Sequence, residues 1–405
     1  MLTNDVRAAR MIIRRAIAVF VVSGLLLLGG AAYVTGFPAP EISPAFAQKL
    51  GKAQKHQVVS LIALEAENLQ VTALAITSID SGERAHTLHF GRSEEGAMMQ
   101  AASLSKTVAA AVIMIQAELS GVGLDDDIRS QISSFDITSL EGGDRVITLR
   151  QLLSHTTGAS QSGYAGYPRE QDVPGLLEVI SSPPRFFESA LAFDGVPGRF
   201  RYSGGGYSIA QLWAQDVSGK DFTQLADELL LKPLGMEHST FAQPIDDTHN
   251  GPGKITGADA PVAPTQGLFS SLTDSWHNYP EQAAAGLWST SEDYARFALA
   301  LLIASEGLES PIPSTVAKVM VTPQMETGWK TGEGPTHYGL GTMLKLDKEG
   351  AVVGISHTGA NAGYRSHFLA RPATANTAAR VVVSIGNTPS AALLNKAVVY
   401  GLNPL

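Results

Sequence analysis

With 405 residues, 44% of them hydrophobic, the chain can bury a large core in one domain with a subdomain or in two domains. Its 29 Lys+Arg against 38 Asp+Glu give a net charge of -9, and no basic cluster lies beyond the first fifteen residues, which argues against a nucleic-acid partner. The absence of cysteine rules out disulfides and a cysteine-linked lipid but leaves the compartment open.

The chain opens with Arg7, Arg10, Arg14 and Arg15 ahead of an uncharged run from Ala16 to Val34. That run is nearly the ~20 residues needed to span a bilayer, with its positive flank on the cytoplasmic side. Residues 1–37 are therefore expected to form a membrane anchor, with the rest extracytoplasmic, in the periplasm. A cleaved signal segment is the rival: Ala45-Phe46-Ala47 is a small-x-small cleavage pattern, though far beyond the apolar run, and Arg14-Arg15 fits twin-arginine export. Residues 38–69 read as a linker, Pro38 to Pro44, and a helix, Phe46 to Leu69. Val71–Ile79 and Ala85–Phe90, separated by Asp80-Ser81-Gly82-Glu83, predict a hairpin.

Ser103-Leu104-Ser105-Lys106 then opens a strongly helical run. Residues three apart on a helix are neighbours, so a neutral Lys106 can take the proton of Ser103, and the first turn's unpaired N–H groups favour the charge that develops when a serine attacks a carbonyl. The pattern alone also fits a capping serine followed by a surface lysine. From about Gly121 to Pro335 helices and long loops are expected, an insertion of about residues 121–335. Within it, Tyr202-Ser203-Gly204-Gly205-Gly206 is a glycine-rich turn that can hold the Tyr202 hydroxyl out into a cleft. Strands are predicted over Tyr338–Leu346, Ala351–Ser356, Ser366–Ala370 and Arg380–Ile385, with a closing helix over Ala391–Val399. Strands at both ends of the chain would form one antiparallel sheet beside the helical insertion, an α+β fold with the site between them. His357-Thr358-Gly359-Ala360 follows one of those strands, and Gly359 would let a substrate backbone lie close.

These three segments, in this order, resemble the serine hydrolases of the β-lactamase and penicillin-binding-protein superfamily, in the branch of class C β-lactamases, their esterase relatives and D-amino-acid-directed peptidases. Ile147–Gly158, Lys232-Pro233-Leu234-Gly235-Met236 and Gly286–Phe297 are similar to further family segments, so the resemblance covers most of the chain from about residue 70 onward and implies a hydrolase domain of residues 70–405. It implies the β-lactamase/transpeptidase-like fold, with a central antiparallel sheet flanked by helices. It implies acyl transfer with Ser103 as nucleophile, Lys106 as base and Tyr202 as relay and leaving-group acid. The N–H groups of Ser103 and Ala360 would form the oxyanion hole, and His357, Thr358 and Gly359 would bind substrate, an ester, amide or β-lactam. No cofactor and no metal are implied.

Two departures qualify it. Where many relatives have Asn at the end of the tyrosine motif, this chain has Gly204, which removes an amide contact and a hydrogen bond to Lys106. His357 stands where many β-lactamases have Lys, exchanging a constant cation for a group that titrates near neutrality. Both favour an esterase or D-peptidase over a β-lactamase, and Gly204 motivates the alternative of a membrane-anchored, non-catalytic binding protein. Gly206-Tyr207-Ser208 approaches a nucleophile elbow but lacks its final glycine and a preceding strand. His155 reads as a structural residue bonded locally. The loops Ser160–Glu170, Arg185–Arg199 and Asn250–Pro280, where specificity is expected, carry no readable code.

Overall fold

The computed structural model describes residue 50 and residues 55–183, 189–245, 276–331 and 334–402. The expected anchor or signal segment, and the first part of the helix expected from Phe46, lie outside them. Eight strands form one antiparallel sheet: β1 Ala73–Asp80, β2 His86–Gly91, β3 Met325–Thr331, β4 Gly334–Tyr338, β5 Met343–Leu346, β6 Val352–Asn361, β7 Tyr364–Arg371 and β8 Arg380–Gly386, in the order β2-β1-β8-β7-β6-β5-β4-β3. The hairpin near the start thus pairs with the last strand, Leu74 opposite Gly386 and Asp80 opposite Arg380.

Strand alternation divides the core. Ala73, Ala75, Val381 and Val383 face the main helical body, whereas Leu74, Ile76 and Val382 pack against the two terminal helices, α1 Lys55–Asn68 and the last helix of the chain, Ala391–Leu402. Helix α2, Ser105–Ser120, is buried from Ser105 to Ala117, so it is apolar nearly all round. With its preceding turn it is long and apolar enough to cross a membrane, yet most of it is enclosed by the fold. Of helices α3 Leu149–Leu153, α4 Gly204–Ser218, α5 Gln282–Ala285 and α6 Ser291–Ser305, α4 and α5 pack against it, α3 packs against α4, and α6 lies against the sheet.

Three strand expectations change, the first being that β6 runs past the expected end at Ser356 to Asn361, so the segment His357-Thr358-Gly359-Ala360 lies within the strand and does not follow it. The strand expected over Tyr338–Leu346 is two, β4 and β5, because Gly339–Thr342 is a turn closed by Gly339 N–H donating to Thr342 O at 2.8 Å. Gly341, at φ 77, brings its carbonyl 2.6 Å from the Thr107 hydroxyl, and a Cβ there would meet Ala110 Cβ at 2.6 Å, so this turn seats the sheet on α2. Strand β3 lies in the stretch read as helix and loop. Its Met-Glu-Thr-Gly-Trp-Lys-Thr sequence has no apolar alternation because it is an edge strand broken by an irregular register at Gly328.

Candidate active site

Ser103 sits in a 3₁₀ turn, Ala102–Leu104, that feeds directly into α2. Ala102 has φ 52, left-handed for a residue with a Cβ, a conformation costing roughly 1–2 kcal/mol. Neighbours hold it there. Ser105 Oγ donates to Ala102 O at 2.5 Å and accepts from Leu287 N at 3.0 Å, Ser366 Oγ donates to Ala101 O at 2.6 Å, and the Tyr294 hydroxyl donates to Leu104 O at 3.1 Å. Strand β6 presses on the same turn. A Cβ on Gly359 would lie 2.5 Å from Ala101 O and 2.2 Å from Ser366 Oγ, so only glycine fits.

One turn into α2, Lys106 is 1% exposed. Its Nζ donates to Ala284 O at 2.7 Å and lies 3.3 Å from Ser103 Oγ. Burial without a carboxylate partner lowers its pKa to about 7, so a large share of the amine is neutral at neutral pH and has a lone pair to offer the serine proton. The ammonium form is softened by the Tyr202 and Tyr207 rings, whose centroids are 5.0 and 5.6 Å away. Tyr202, half-buried and hydrogen-bonded to Ser103, has its hydroxyl pKa pushed up by burial, a push that the Ser103 bond opposes; it is a protonated phenol. The structure therefore brings Ser103, Lys106 and Tyr202 together.

Ala284 is a partner that the sequence does not disclose, since it acts through its carbonyl in the bland run Gln282-Ala283-Ala284-Ala285. Gln211 pins that run, accepting from Ala283 N at 2.9 Å and donating to Pro280 O at 3.2 Å. Ala284 O supplies the lysine contact that Gly204 cannot. Ser203 does not supply it: its hydroxyl caps α4 by accepting from Gly206 N at 3.0 Å and donates to Ser160 O at 2.5 Å. Space beside Gly204 is filled by Tyr164, whose ring a Cβ would approach to 2.9 Å and whose hydroxyl lies 2.8 Å from Ser208 Oγ. Ser208 is wholly buried in α4, which removes it as a nucleophile.

His357 does not reach the cleft as a substrate cation. It is 1% exposed, burial holds its pKa down at about 3, and both ring nitrogens are occupied. His155 Nδ1 accepts from Ser203 N at 3.0 Å, so its proton is on Nε2, 3.2 Å from the Tyr338 oxygen. Tyr338 in turn gives its proton to His357 Nε2 at 3.0 Å, and His357 Nδ1–H donates to Thr358 O at 2.7 Å. Every proton in this chain points one way, from the tyrosine motif to the third motif. The His155 bonds are therefore long-range rather than local, and its ring also packs at a tilt of 43° against Tyr202, with centroids 4.3 Å apart. Tyr338 is the residue that the sequence does not single out here, and His155, expected to bond locally, is structural as expected but bonds at long range.

Asn361 and Tyr364 flank a two-residue hairpin turn and pair with each other, so strand alternation turns the backbone groups of Thr358 and Ala360 to the other edge. Strand β5 stops pairing at Ser356, which leaves that edge open beside Ser103's turn. Thr358 and Ala360 are exposed there, while Asn361 is buried, donating to Gln100 Oε1 at 2.8 Å and Ala285 O at 3.0 Å.

The chain is similar to proteins of known fold and name. Esterase EstB of Burkholderia gladioli is 23% identical over 346 residues, 79% of this chain and 83% of that protein. The penicillin-binding protein homologue of Pyrococcus abyssi superposes with a TM-score of 0.67 at 22% identity, over 86% of this chain and 77% of that one. A D-stereospecific amidohydrolase from Streptomyces gives 0.62 at 19% identity, over 87% of this chain and all of that one. These likenesses carry the β-lactamase/transpeptidase-like fold, and the family profile described as Beta-lactamase matches residues 60–401. The chain belongs to the beta-lactamase family.

Proposed function

We propose that this protein is a serine hydrolase that cleaves an ester or amide bond through a covalent acyl-enzyme on Ser103, in a catalytic domain of residues 70–405 held outside the cytoplasm by the N-terminal segment. The observation that carries the reading is a buried Lys106, with a pKa of about 7, 3.3 Å from Ser103 Oγ. Ser103 Oγ forms a bond to the substrate carbonyl carbon while its proton passes to Lys106. Tyr202, hydrogen-bonded to Ser103, delivers a proton to the leaving oxygen or nitrogen as the carbon–heteroatom bond breaks. The N–H groups of Ser103 and Ala360 hold the oxyanion, and water then releases the acid.

Thr358 and Ala360 offer an open backbone edge to the substrate, Gly359 lets that strand lie against the turn of Ser103, and His357 acts behind them as a positioning residue. A neutral, fully bonded His357 binds a carboxylate poorly, which favours an esterase over a β-lactamase. The names of the relatives, an esterase and a D-stereospecific amidohydrolase, support the same bond types.

Intact-protein mass after brief exposure to an activated acyl ester, and separately to a penicillin, tests this reading. An added acyl mass that disappears in Ser103→Ala supports it, and the reagent that leaves the mass distinguishes an esterase from a penicillin-recognising enzyme. No adduct and no turnover of either reagent would favour the non-catalytic binder.

A further inference from the structure

Among the described phenylalanine, tyrosine and tryptophan residues, Trp329 alone is exposed, at 41%. It stands beside the site on the β3–β4 hairpin, in a position that the steps above do not use. Between Glu326, opposite His337, and Lys330, opposite Pro335, the register slips, and Gly328 takes φ 74. Such a bulge redirects a side chain away from its regular strand orientation. The backbone at the bulge is well held: Trp329 N donates to Thr327 Oγ1 at 3.1 Å, Trp329 O accepts from Thr336 Oγ1 at 3.2 Å, and the two buried threonine hydroxyls are 2.6 Å apart. Trp329 is thus presented on a firm support, not left on a loose loop tip.

Its neighbours identify what it faces. The indole meets Phe200 edge-on at 5.2 Å and the Tyr202 ring at 5.9 Å, and Phe200 leans on Tyr338 at 5.5 Å and His155 at 5.8 Å. An aromatic wall therefore runs from Tyr202 outward and ends at Trp329. A leaving oxygen protonated by Tyr202 must come within about 2.6–3.2 Å of its hydroxyl. A ring carried on that oxygen can extend along this wall toward Trp329, where offset or edge-on packing is favourable, whereas a methyl group stays at its Tyr202 end.

We propose that Trp329, backed by Phe200, is the subsite for the leaving group, and that the preferred substrates are esters of aromatic alcohols. The inference rests on the acyl-enzyme reading and on Tyr202 as the leaving-group acid. In the step concerned, the Ser103 Oγ–carbon bond forms, the carbon–oxygen bond to the alcohol breaks, and the alcohol leaves with the proton delivered by Tyr202. Since the alcohol departs before deacylation, Trp329 acts on acylation alone.

Methyl and benzyl butyrate share one butyryl-enzyme and differ only in the alcohol, so they separate these steps. In the full-length protein, Trp329→Ala is expected to lower the benzyl-to-methyl ratio of kcat/KM by roughly tenfold or more, with Trp329→Phe restoring most of it. The rate at which the butyryl mass leaves Ser103 should stay that of the unmodified protein in both variants. An unchanged ratio overturns the proposal. So does an equal loss for both esters with altered deacylation, which would place Trp329 on the acyl side. If the unmodified protein forms no butyryl adduct lost in Ser103→Ala, the acyl-enzyme reading itself fails and takes this proposal with it.

Discussion

Two regions of the same cluster bury a base, the start of α2 at Lys106 and the middle of β6 at His357, and burial strips charge from both. The outcomes differ. Lys106 comes to rest at about 7, with one firm anchor in Ala284 O and its remaining reach directed at Ser103. His357 falls to about 3, with Tyr338 on one nitrogen and Thr358 O on the other. Desolvation alone does not make a catalytic base. What distinguishes Lys106 is a hydrogen-bond set left incomplete toward the reacting atom, whereas His357 is a strut whose valences are full.

The contrast breaks most sharply at Lys106. Lys106→Arg keeps a permanent cation in place and cannot accept a proton, so hydrolysis should fall by roughly 10³-fold or more. In the unmodified protein kcat/KM should rise with pH through about 7 and level off above it, because the neutral amine is the active form. His357→Gln should leave that midpoint where it is. A midpoint that vanishes with His357 and survives Lys106→Arg, measured by initial rates from pH 5 to 9, would reverse the assignment of roles.

The strut is tested next through Tyr338. Tyr338→Phe strands the His155 Nε2–H and the His357 Nε2 acceptor in a buried setting, at about 1–3 kcal/mol for each group left unpaired. Thermal melts should show the loss directly, and a variant as stable as the parent would mean that the chain carries no weight. Acid adds a signed check. Because burial puts the folded His357 pKa at about 3 against an ordinary 6.5, the unfolded chain binds the extra proton first as pH falls. Stability therefore declines below pH 6.5, by up to 1.36 kcal/mol per unit from this group until about pH 3. His357→Gln should flatten that decline.

What the sequence discloses follows the same division. Ser103 and Lys106 are legible because one helix turn puts them side by side, and the strands of the sheet centre are legible because runs such as Val381-Val382-Val383 leave little alternative to burial on both faces. The edge strand β3 exposes Glu326, Gly328 and Trp329 to solvent, and so looks like loop. Ala284 is invisible because its contribution is a carbonyl that any residue possesses. Tyr338 is invisible for another reason: its partners are 183 and 19 residues away, and only the closed fold brings them to one hydroxyl.

The smallest expected effect concerns Gly204, where the comparison turns on why the lysine leans on a backbone carbonyl. The backbone at Gly204 is not left-handed, so a side chain is opposed there by Tyr164 and not by φ. Gly204→Asn sets a Cβ against the Tyr164 ring at 2.9 Å and should cost about 1–3 kcal/mol. Tyr164→Ala should also cost stability by itself, since it empties that space and removes the partner of Ser208 Oγ. Combined, the two should cost less than their sum by about 0.5–3 kcal/mol, because each change relieves the other. Denaturant melts of the four proteins measure that coupling. Strict additivity would mean that Tyr164 does not fill the place of the missing side chain, and the reliance of Lys106 on Ala284 O would then need a cause other than this glycine.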